Sequence, residues 1–221
     1  LFIEKLVASG EMQHYEHEFL LDGKKMIKEI RMVSYGDNEI LLLIRDITER
    51  KAMEEQLKHL SYHDALTGLY NRAYLEEQLT DENLQNKRPV GIIVADVDGL
   101  KQVNDKLGHQ LGDQLLQQAA SILRSQKKHI VARVGGDEFV IFLTQTSEEE
   151  IKMLCNEIEE KIDISNKEGG EVPLHISLGW SIGAEDTPIH EVFRKADDAM
   201  YWNKSVRKER IQRALCEQQK M

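Results

Sequence analysis

Acidic residues stand where one apolar run of the sequence ends and where another begins. Asp96 directly follows the first run, and Asp137 and Glu138 directly precede the second. Clustered carboxylates repel one another unless a cation lies between them, and Mg²⁺ typically binds one or two carboxylates together with substrate phosphates. The side chains of Asp96 and Asp137 could form such a site with the backbone carbonyl of Val97. The alternative is that these acids cap turns and face solvent.

Two glycines precede the second acidic pair. Gly135 and Gly136 permit positive φ angles in a hairpin, and without side chains they let a nucleotide approach the backbone closely. On the glycines alone, an ordinary tight hairpin explains the pattern. The whole string between the two apolar segments, Arg133-Val-Gly-Gly-Asp-Glu-Phe139, is much more specific.

The elements that position these residues follow a recognisable order. From residue 90 onward the patterns read strand, helix, strand, strand, helix, strand, which predicts an α+β domain of ferredoxin-like βαββαβ topology. Its central antiparallel sheet would place the first strand beside the third, and would therefore bring Asp96 close to Asp137 and Glu138. We predict strands over 90–95, 130–134, 139–143 and 174–180, and helices over about 71–79, 112–123 and 148–162 and from 188 onward.

The N-terminal part has a different pattern. Three strands are predicted over 15–21, 26–34 and 39–45, separated by turn-forming residues, and a helix over 48–60 with Thr48 as its cap follows. The apolar stripe of this helix is Met53, Leu57 and Leu60. That stripe is suited equally to pairing with a partner helix and to packing on its own domain.

Composition excludes some functions. The net charge of −10 argues against binding to nucleic acid, because phosphate backbones need a basic face. No apolar stretch approaches membrane-spanning length, which predicts no membrane contact from this segment. The two cysteines, Cys155 and Cys216, lack metal-ligand spacing and indicate a reducing cytoplasmic compartment, although a membrane anchor ahead of Leu1 is left open.

Six motifs, in order between Asp64 and Lys204, resemble those of the GGDEF domains, the diguanylate cyclases. One is the string around Gly135 given above. The others are Asp64-Ala-Leu-Thr-Gly-Leu-Tyr-Asn-Arg72, Asp96-Val-Asp-Gly-Leu-Lys-Gln-Val-Asn-Asp105, Gly108-His-Gln-Leu-Gly-Asp113, Ser177-Leu-Gly179 and Ala196-Asp-Asp-Ala-Met-Tyr-Trp-Asn-Lys204.

The resemblance implies a metal site for Mg²⁺, with Mn²⁺ as an alternative. Asp96, the Val97 carbonyl and Asp137 would bind the metal. Glu138 would be a further ligand or the base that deprotonates the 3′-hydroxyl of GTP. Both Asp137 and Glu138 are therefore candidate catalytic residues.

The resemblance also implies the residues that bind GTP. Asn104 and Asp113 would pair with the guanine edge, since an amide and a carboxylate match its donors and acceptors. Phosphate contacts would come from Lys101, Lys204 and Lys208 and from the backbone N–H groups of Gly99 and Leu100. The hairpin glycines, Gly135 and Gly136, would let the nucleotide approach.

The activity implied by the resemblance is condensation of two GTP into cyclic di-GMP and two pyrophosphates. In the family each subunit binds one GTP and two domains meet face to face, so a homodimer is required. The helix over 48–60 would control its formation. A catalytically silent module that binds GTP or a protein is the main alternative. A different nucleotidyl cyclase or polymerase-like palm is disfavoured by the guanine-matching pair Asn104 and Asp113.

The sequence departs from the family at two places. The inhibitory motif Arg-x-x-Asp is replaced by Gln126 and His129, which predicts no feedback inhibition there. A Gly-Arg pair often follows the last lysine of the family, whereas this chain has Arg207 and Lys208. Lys208 keeps the charge but lacks the planar fork that matches phosphate.

The N-terminal strands and the string Asp46-Ile-Thr-Glu-Arg50 resemble the C-terminal part of a PAS sensor domain joined to its output helix. The resulting division is a partial PAS domain over 1–47, a signalling linker helix over 48–61, a GGDEF domain over 62–208 and a C-terminal helical tail over 209–221.

Overall fold

A computed structural model describes residues 2–36, 39–80, 87–124, 129–184 and 186–218. The chain divides into two compact units, Leu1–Leu60 and Ser61–Met221. In the described parts of the chain, no helix is both long enough and apolar enough to span a bilayer.

The N-terminal unit contains the predicted three-stranded antiparallel sheet, which is confirmed. Within the described residues its order is β1-β2-β3. A short helix that was not predicted, α1, packs on this sheet, where the ring of Phe2 stacks on Tyr15 at 4.0 Å and Leu6 and Met32 are buried. The elements are α1 (Phe2–Ser9), β1 (Gln13–Leu21), β2 (Lys24–Tyr35) and β3 (Glu39–Asp46).

Helix α2 (Thr48–Tyr62) follows, and it contains no buried residue. Its apolar stripe of Met53, Leu57 and Leu60 is more than half exposed. The prediction that Thr48 caps this helix is wrong. Its hydroxyl accepts a hydrogen bond from the Ile27 N–H at 2.9 Å and donates to Asp46 Oδ1 at 2.7 Å, so it is already engaged in joining the helix to the preceding strands.

The second unit has the predicted ferredoxin-like arrangement. Within the described residues its sheet has the order β4-β6-β7-β5-β8, with β5 antiparallel to both β7 and β8. The first strand of the βαββαβ series thus lies beside the third, as predicted. The strands are β4 (Tyr70–Asn71), β5 (Val90–Val97), β6 (Ile130–Arg133), β7 (Glu138–Thr144) and β8 (Ile176–Gly183).

Helices cover both faces of this sheet. Those described are α3 (Arg72–Thr80), α4 (Leu100–Leu107), α5 (His109–Arg124), α6 (Glu148–Glu168) and α7 (Ile189–Gln218). The sequence patterns did not predict α4 or β4, because α4 has eight residues and β4 has two, too few to show a clear periodicity.

Strand β5, which lies between β7 and β8, is buried at every residue, and its apolar side chains alternate between two cores. Ile93 and Ala95 contribute to the core that includes α5 and α6, whereas Ile92 and Val94 contribute to the core that includes α7. Both faces of this strand are therefore covered by helices.

Candidate functional site

The site begins at the end of β5, where the predicted approach of two acidic segments is observed. Asp96 is directly opposite Glu138 of β7, and it is opposite Ser177 of β8 on its other side. The next N–H along the strand, that of Val97, donates to the carbonyl of Asp137 at 2.9 Å. Antiparallel pairing thus joins segments that are about forty residues apart in the sequence.

Helix α7 adds a cation to this acidic cluster. Lys204 Nζ lies 2.5 Å from Asp96 Oδ1, and the Asp96 residue is 5% exposed. The helix can approach the sheet this closely because β8 has a glycine beneath it. A Cβ at Gly179 would be 2.0 Å from the backbone nitrogen of Met200 and 2.4 Å from the carbonyl oxygen of Ala196.

The charged groups of this cluster shift one another's pKa values. Burial raises the pKa of the Asp96 carboxyl above its ordinary value despite the opposing effect of Lys204, and the charges of Asp137 and Asp98 act in the same direction as burial. Burial by itself would lower the pKa of Lys204, but its hydrogen bond to Asp96 and the nearby acids outweigh burial and raise it. Lys204 is therefore a cation at neutral pH, among carboxylates that an additional positive charge would stabilise.

A cleft of about 600 Å³ opens at this point. It brings together four residues of the predicted site, Asp96, Glu138, Lys204 and Lys208. The remaining lining includes two acids of α7 that the sequence analysis did not select, Asp197 and Asp198, along with Met200, Tyr201 and Ser205.

The turn from β5 into α4 carries the predicted backbone phosphate site. Gly99 is the N-cap of α4 with φ of 76°, in the left-handed region, and it offers no side chain to the first turn. The side chain of Leu100 is buried in the core, whereas Lys101 is exposed. This arrangement fixes the backbone of the turn and leaves the lysine side chain at the surface.

Asn104 and Asp113 are on consecutive helices, α4 and α5. Asn104 Oδ1 is buried and has no hydrogen-bond partner among the described residues. Space for it is provided by Gly112, since a Cβ at that position would be 1.9 Å from Asn104 Oδ1. Asp113 is the next residue and is exposed. A buried acceptor without a partner costs free energy unless a ligand donates to it, and the N–H groups of guanine are donors of the required kind.

The glycine hairpin differs from the prediction in one respect. Neither Gly135 nor Gly136 has a positive φ, so the turn does not need glycine for its backbone angles. Gly135 instead leaves space for the Glu138 side chain, because a Cβ there would be 2.7 Å from Glu138 Oε2 and would make that side chain move. The carbonyl of Gly136 accepts a hydrogen bond from Arg133 Nη2 at 2.8 Å.

Two supporting pairs were missed as site residues by the sequence analysis. Arg133 forms an ion pair with Asp64 at 3.0 Å, and Arg207 forms one with Asp98 at 3.2 Å. All four residues stand in or beside the six motifs, and this position was the signal in the sequence that could have identified them. Their partners could not be identified because each pair joins segments more than sixty residues apart.

Among the described residues, no three His, Cys, Asp or Glu side chains form a group that could hold a metal ion by themselves. Metal binding by Asp96, Asp137 and Glu138 therefore stays a prediction. Of the residues at the missing inhibitory motif, Gln126 lies outside the described residues. His129 is half-buried and lines a separate cleft of about 400 Å³ with Arg124 and His63.

Comparison with known proteins identifies the family. Residues 61–210 match the family described as "Diguanylate cyclase, GGDEF domain". The chain is 35% identical over 183 residues to the diguanylate cyclase DgcM of Escherichia coli K12, which covers 80% of this chain and 44% of DgcM. It is 32% identical over 176 residues to the cyclic di-GMP phosphodiesterase PdeR of the same organism, which covers 75% of this chain and 26% of PdeR.

The fold comparison agrees with the family match. The crystal structure of the coiled coil and GGDEF domain of DgcB from Caulobacter crescentus, in complex with c-di-GMP, aligns with a TM-score of 0.64 at 24% identity. The alignment covers 72% of this chain and 88% of that one. The chain spans less than half the length of the two curated relatives, but the family match covers most of this chain. On this basis the chain belongs to the GGDEF family of diguanylate cyclases.

Proposed function

We propose that this chain condenses two GTP molecules into cyclic di-GMP and releases two pyrophosphates. The observation that supports this most directly is the pairing of Asp96 with Glu138 across β5 and β7, with Lys204 of α7 at 2.5 Å from Asp96. Two carboxylates and a lysine at one cleft match the charges of a triphosphate that binds with a divalent cation.

In this proposal Asp96, Asp137, Glu138 and the Val97 carbonyl hold Mg²⁺, or Mn²⁺ in its place. When bound, the cation supplies charge stabilisation at the α-phosphate and at the leaving pyrophosphate. Glu138 accepts the proton of the 3′-hydroxyl of one GTP. The freed oxygen attacks the α-phosphorus of the second GTP, so a phosphorus–oxygen bond forms there and the bond to pyrophosphate breaks. A second, equivalent step closes the ring.

The remaining predicted residues bind and orient GTP. Asn104 Oδ1 accepts hydrogen bonds from guanine, beside the exposed carboxylate of Asp113. The backbone N–H groups at Gly99 and Leu100 face the phosphates. The side chains of Lys101, Lys204 and Lys208 neutralise them, and the hairpin at Gly135 and Gly136 leaves room for the nucleotide.

We further propose that the active form is a homodimer, because each chain would bind one GTP and the product is made from two. The exposed stripe of α2, Met53, Leu57 and Leu60, offers an apolar face for pairing two linker helices. The N-terminal sheet would then be the C-terminal part of a PAS sensor that controls this pairing. Since the substrate is a nucleotide of the cytoplasm, we place the reaction there.

The similarity to PdeR raises an alternative function for this chain. PdeR, a relative of similar identity, is named as a phosphodiesterase of cyclic di-GMP, so family membership does not assign synthesis by itself. A catalytically silent domain that binds GTP is the corresponding alternative for this chain. The retained acids Asp96, Asp137 and Glu138 support synthesis over silence.

The experiment is to incubate the purified chain with GTP and Mg²⁺ and to identify the products by mass spectrometry. We expect cyclic di-GMP from the parent chain and from the control Asp163→Asn, which changes an exposed acid of α6. We expect none from Asp96→Asn or Glu138→Gln. If the parent is inactive, a coiled coil fused ahead of Thr48 will enforce dimerisation. Continued inactivity of that fusion, with GTP bound, would establish the silent alternative.

A further inference from the structure

Two cations of α7 pair with two acids at the end of β5. Lys204 contacts Asp96, and one turn later Arg207 Nη1 lies 3.2 Å from Asp98 Oδ2. Residues three apart on a helix share a face, and Asp98 is the first residue after β5, two positions beyond Asp96, so the two ion pairs lie next to each other.

The second pair is held by more contacts than an ordinary surface ion pair. Arg207 Nη1 also donates to the carbonyl of Ile176 at 2.9 Å. The hydroxyl of Ser177 lies 3.0 and 2.9 Å from the two carboxylate oxygens of Asp98. The backbone N–H of Asp98 donates to the carbonyl of His175 at 2.9 Å. These contacts tie the β5–α4 turn to β8 and α7.

In the proposed reaction Asp96 binds a divalent cation, which competes with Lys204 for its carboxylate, and Lys204 turns from Asp96 toward the triphosphate. Besides Asp96 and Asp137, which the proposal assigns to the metal, Asp98 is the acid whose charge acts on Lys204, so it is a candidate to capture the released ammonium. Arg207 and Ser177 occupy this carboxylate and so remove the competitor.

We propose that Arg207 is a positioning residue that neutralises Asp98, so that Lys204 is free to move from Asp96 to the triphosphate of GTP. The same contact holds the turn that carries Gly99 and Leu100. This inference rests on the proposed function, since it names a residue that prepares the same site. Arg207 stands where the family often has glycine, so the contact belongs to this chain's own residues.

The test compares Arg207→Met, Asp98→Asn and the double variant with the parent. Binding of a non-cyclisable GTP analogue with Mg²⁺ is measured by calorimetry, and KM and kcat for GTP are measured in parallel. We expect Arg207→Met to weaken analogue binding and raise KM about tenfold, which corresponds to about 1.4 kcal/mol, with kcat changed less than threefold. Arg207→Lys, which keeps the charge, should recover part of this loss.

The double variant gives the decisive result. Removing Asp98 removes the competitor for Lys204, so we expect both Asp98→Asn and the double variant to bind the analogue within threefold of the parent. If Arg207 acts only by tying the turn in place, Asp98→Asn breaks the same pair and should bind as weakly as Arg207→Met. The matched control is Lys195→Met, which removes an exposed cation from the same helix. Thermal unfolding of each variant reports whether it is folded.

Each outcome decides the inference. Unchanged binding by Arg207→Met, or a double variant as weak as Arg207→Met, overturns the positioning role while leaving the proposed function intact. A parent chain that neither binds the analogue nor forms product overturns both. Because analogue binding needs no turnover, a parent that binds but does not react still tests Arg207.

Discussion

Arg133 of β6 binds Asp64, the residue two positions beyond α2, through both carboxylate oxygens. Arg133 Nη1 lies 3.0 Å from Asp64 Oδ1 and 3.3 Å from Oδ2, while its Nη2 donates to the carbonyl of Gly136 at 2.8 Å. Both side chains are mostly buried, at 14% and 24% exposed. One guanidinium thus joins the start of the second unit to the hairpin that precedes Asp137 and Glu138.

This relationship gives a pH-dependent prediction for stability. Burial of Asp64 would raise the pKa of its carboxyl, but hydrogen bonds from Thr67 and Arg133 outweigh burial and lower it. A lowered folded-state pKa means that the carboxylate stabilises the fold above the unfolded value of about 3.9, and that this contribution is lost as the pH falls through the folded-state pKa. We expect Asp64→Asn to lower the free energy of unfolding by about 2 kcal/mol at neutral pH.

Urea unfolding from neutral pH down to about pH 3 checks this prediction, with Asp163→Asn as the exposed control. The difference between the parent and Asp64→Asn should be constant down to about pH 5 and should narrow below about pH 4. A difference that widens on acidification would show that the carboxylate does not stabilise the fold in this way.

Gly179 should be intolerant of any side chain. A Cβ there meets backbone atoms of Met200 and Ala196, which cannot rotate away as a side chain would. We expect Gly179→Ala to destabilise the chain by about 3 kcal/mol and to abolish GTP turnover, since α7 must move and Lys204 moves with it. Thermal unfolding measures the effect. Gly170→Ala is the control, because its Cβ would meet only a carbonyl oxygen at 3.7 Å. Equal melting temperatures for the two variants would contradict the prediction.

Gly112 should affect substrate binding more than stability. A Cβ at this position meets the end of the Asn104 side chain, which can rotate, and alanine favours a helix over glycine by up to about 1 kcal/mol. We expect Gly112→Ala to keep its melting temperature within a few degrees and to weaken binding of a GTP analogue at least tenfold. Gly112→Ala and Asn104→Ala should remove the same interaction between Asn104 and guanine. Adding Asn104→Ala to Gly112→Ala should therefore weaken binding no further. Additive losses would argue against a shared role.

Product inhibition should be absent at the position of the family's inhibitory motif. With Gln126 and His129 in place of the arginine and aspartate, the chain lacks the charged pair of that motif. We expect initial rates of GTP turnover to be insensitive to added cyclic di-GMP beyond competition with GTP. Tight binding of cyclic di-GMP that is lost on substituting Gln126 and His129 would refute this. The double variant Gln126→Ala and His129→Ala should turn over GTP at the parent rate.

Much of the site was predictable because its chemistry is encoded in short segments. The string around Gly135 and the run that begins at Asp96 each place an acid at the end of a strand, and the final motif places Lys204 on a helix. The order of apolar segments predicts the ferredoxin-like sheet, and that sheet by itself requires Asp96 to approach Glu138. This inference needs only the alternation of strands and helices, which is a local property of the sequence.

Other features depended on the tertiary structure, because they arise from distances between segments far apart in the chain. The pairing of Arg133 with Asp64 and of Arg207 with Asp98 leaves no periodic signal in the sequence. The role of Gly135 is a case in point. Its sequence context indicates a turn glycine with a positive φ, but the fold uses it as space for the Glu138 side chain. Gly112 likewise makes room for Asn104, a contact that forms only once α4 and α5 are packed together.

The sequence alone determined the family, the fold and the candidate reactive groups, because these are set by residue type, order and local periodicity. Only the tertiary structure decided which acid each cation binds and which glycines are required for close packing. Those choices depend on how α7 packs on β8 and how β5 pairs with β7, since ion pairs and steric contacts act over a few ångströms in space, whatever the separation in the chain.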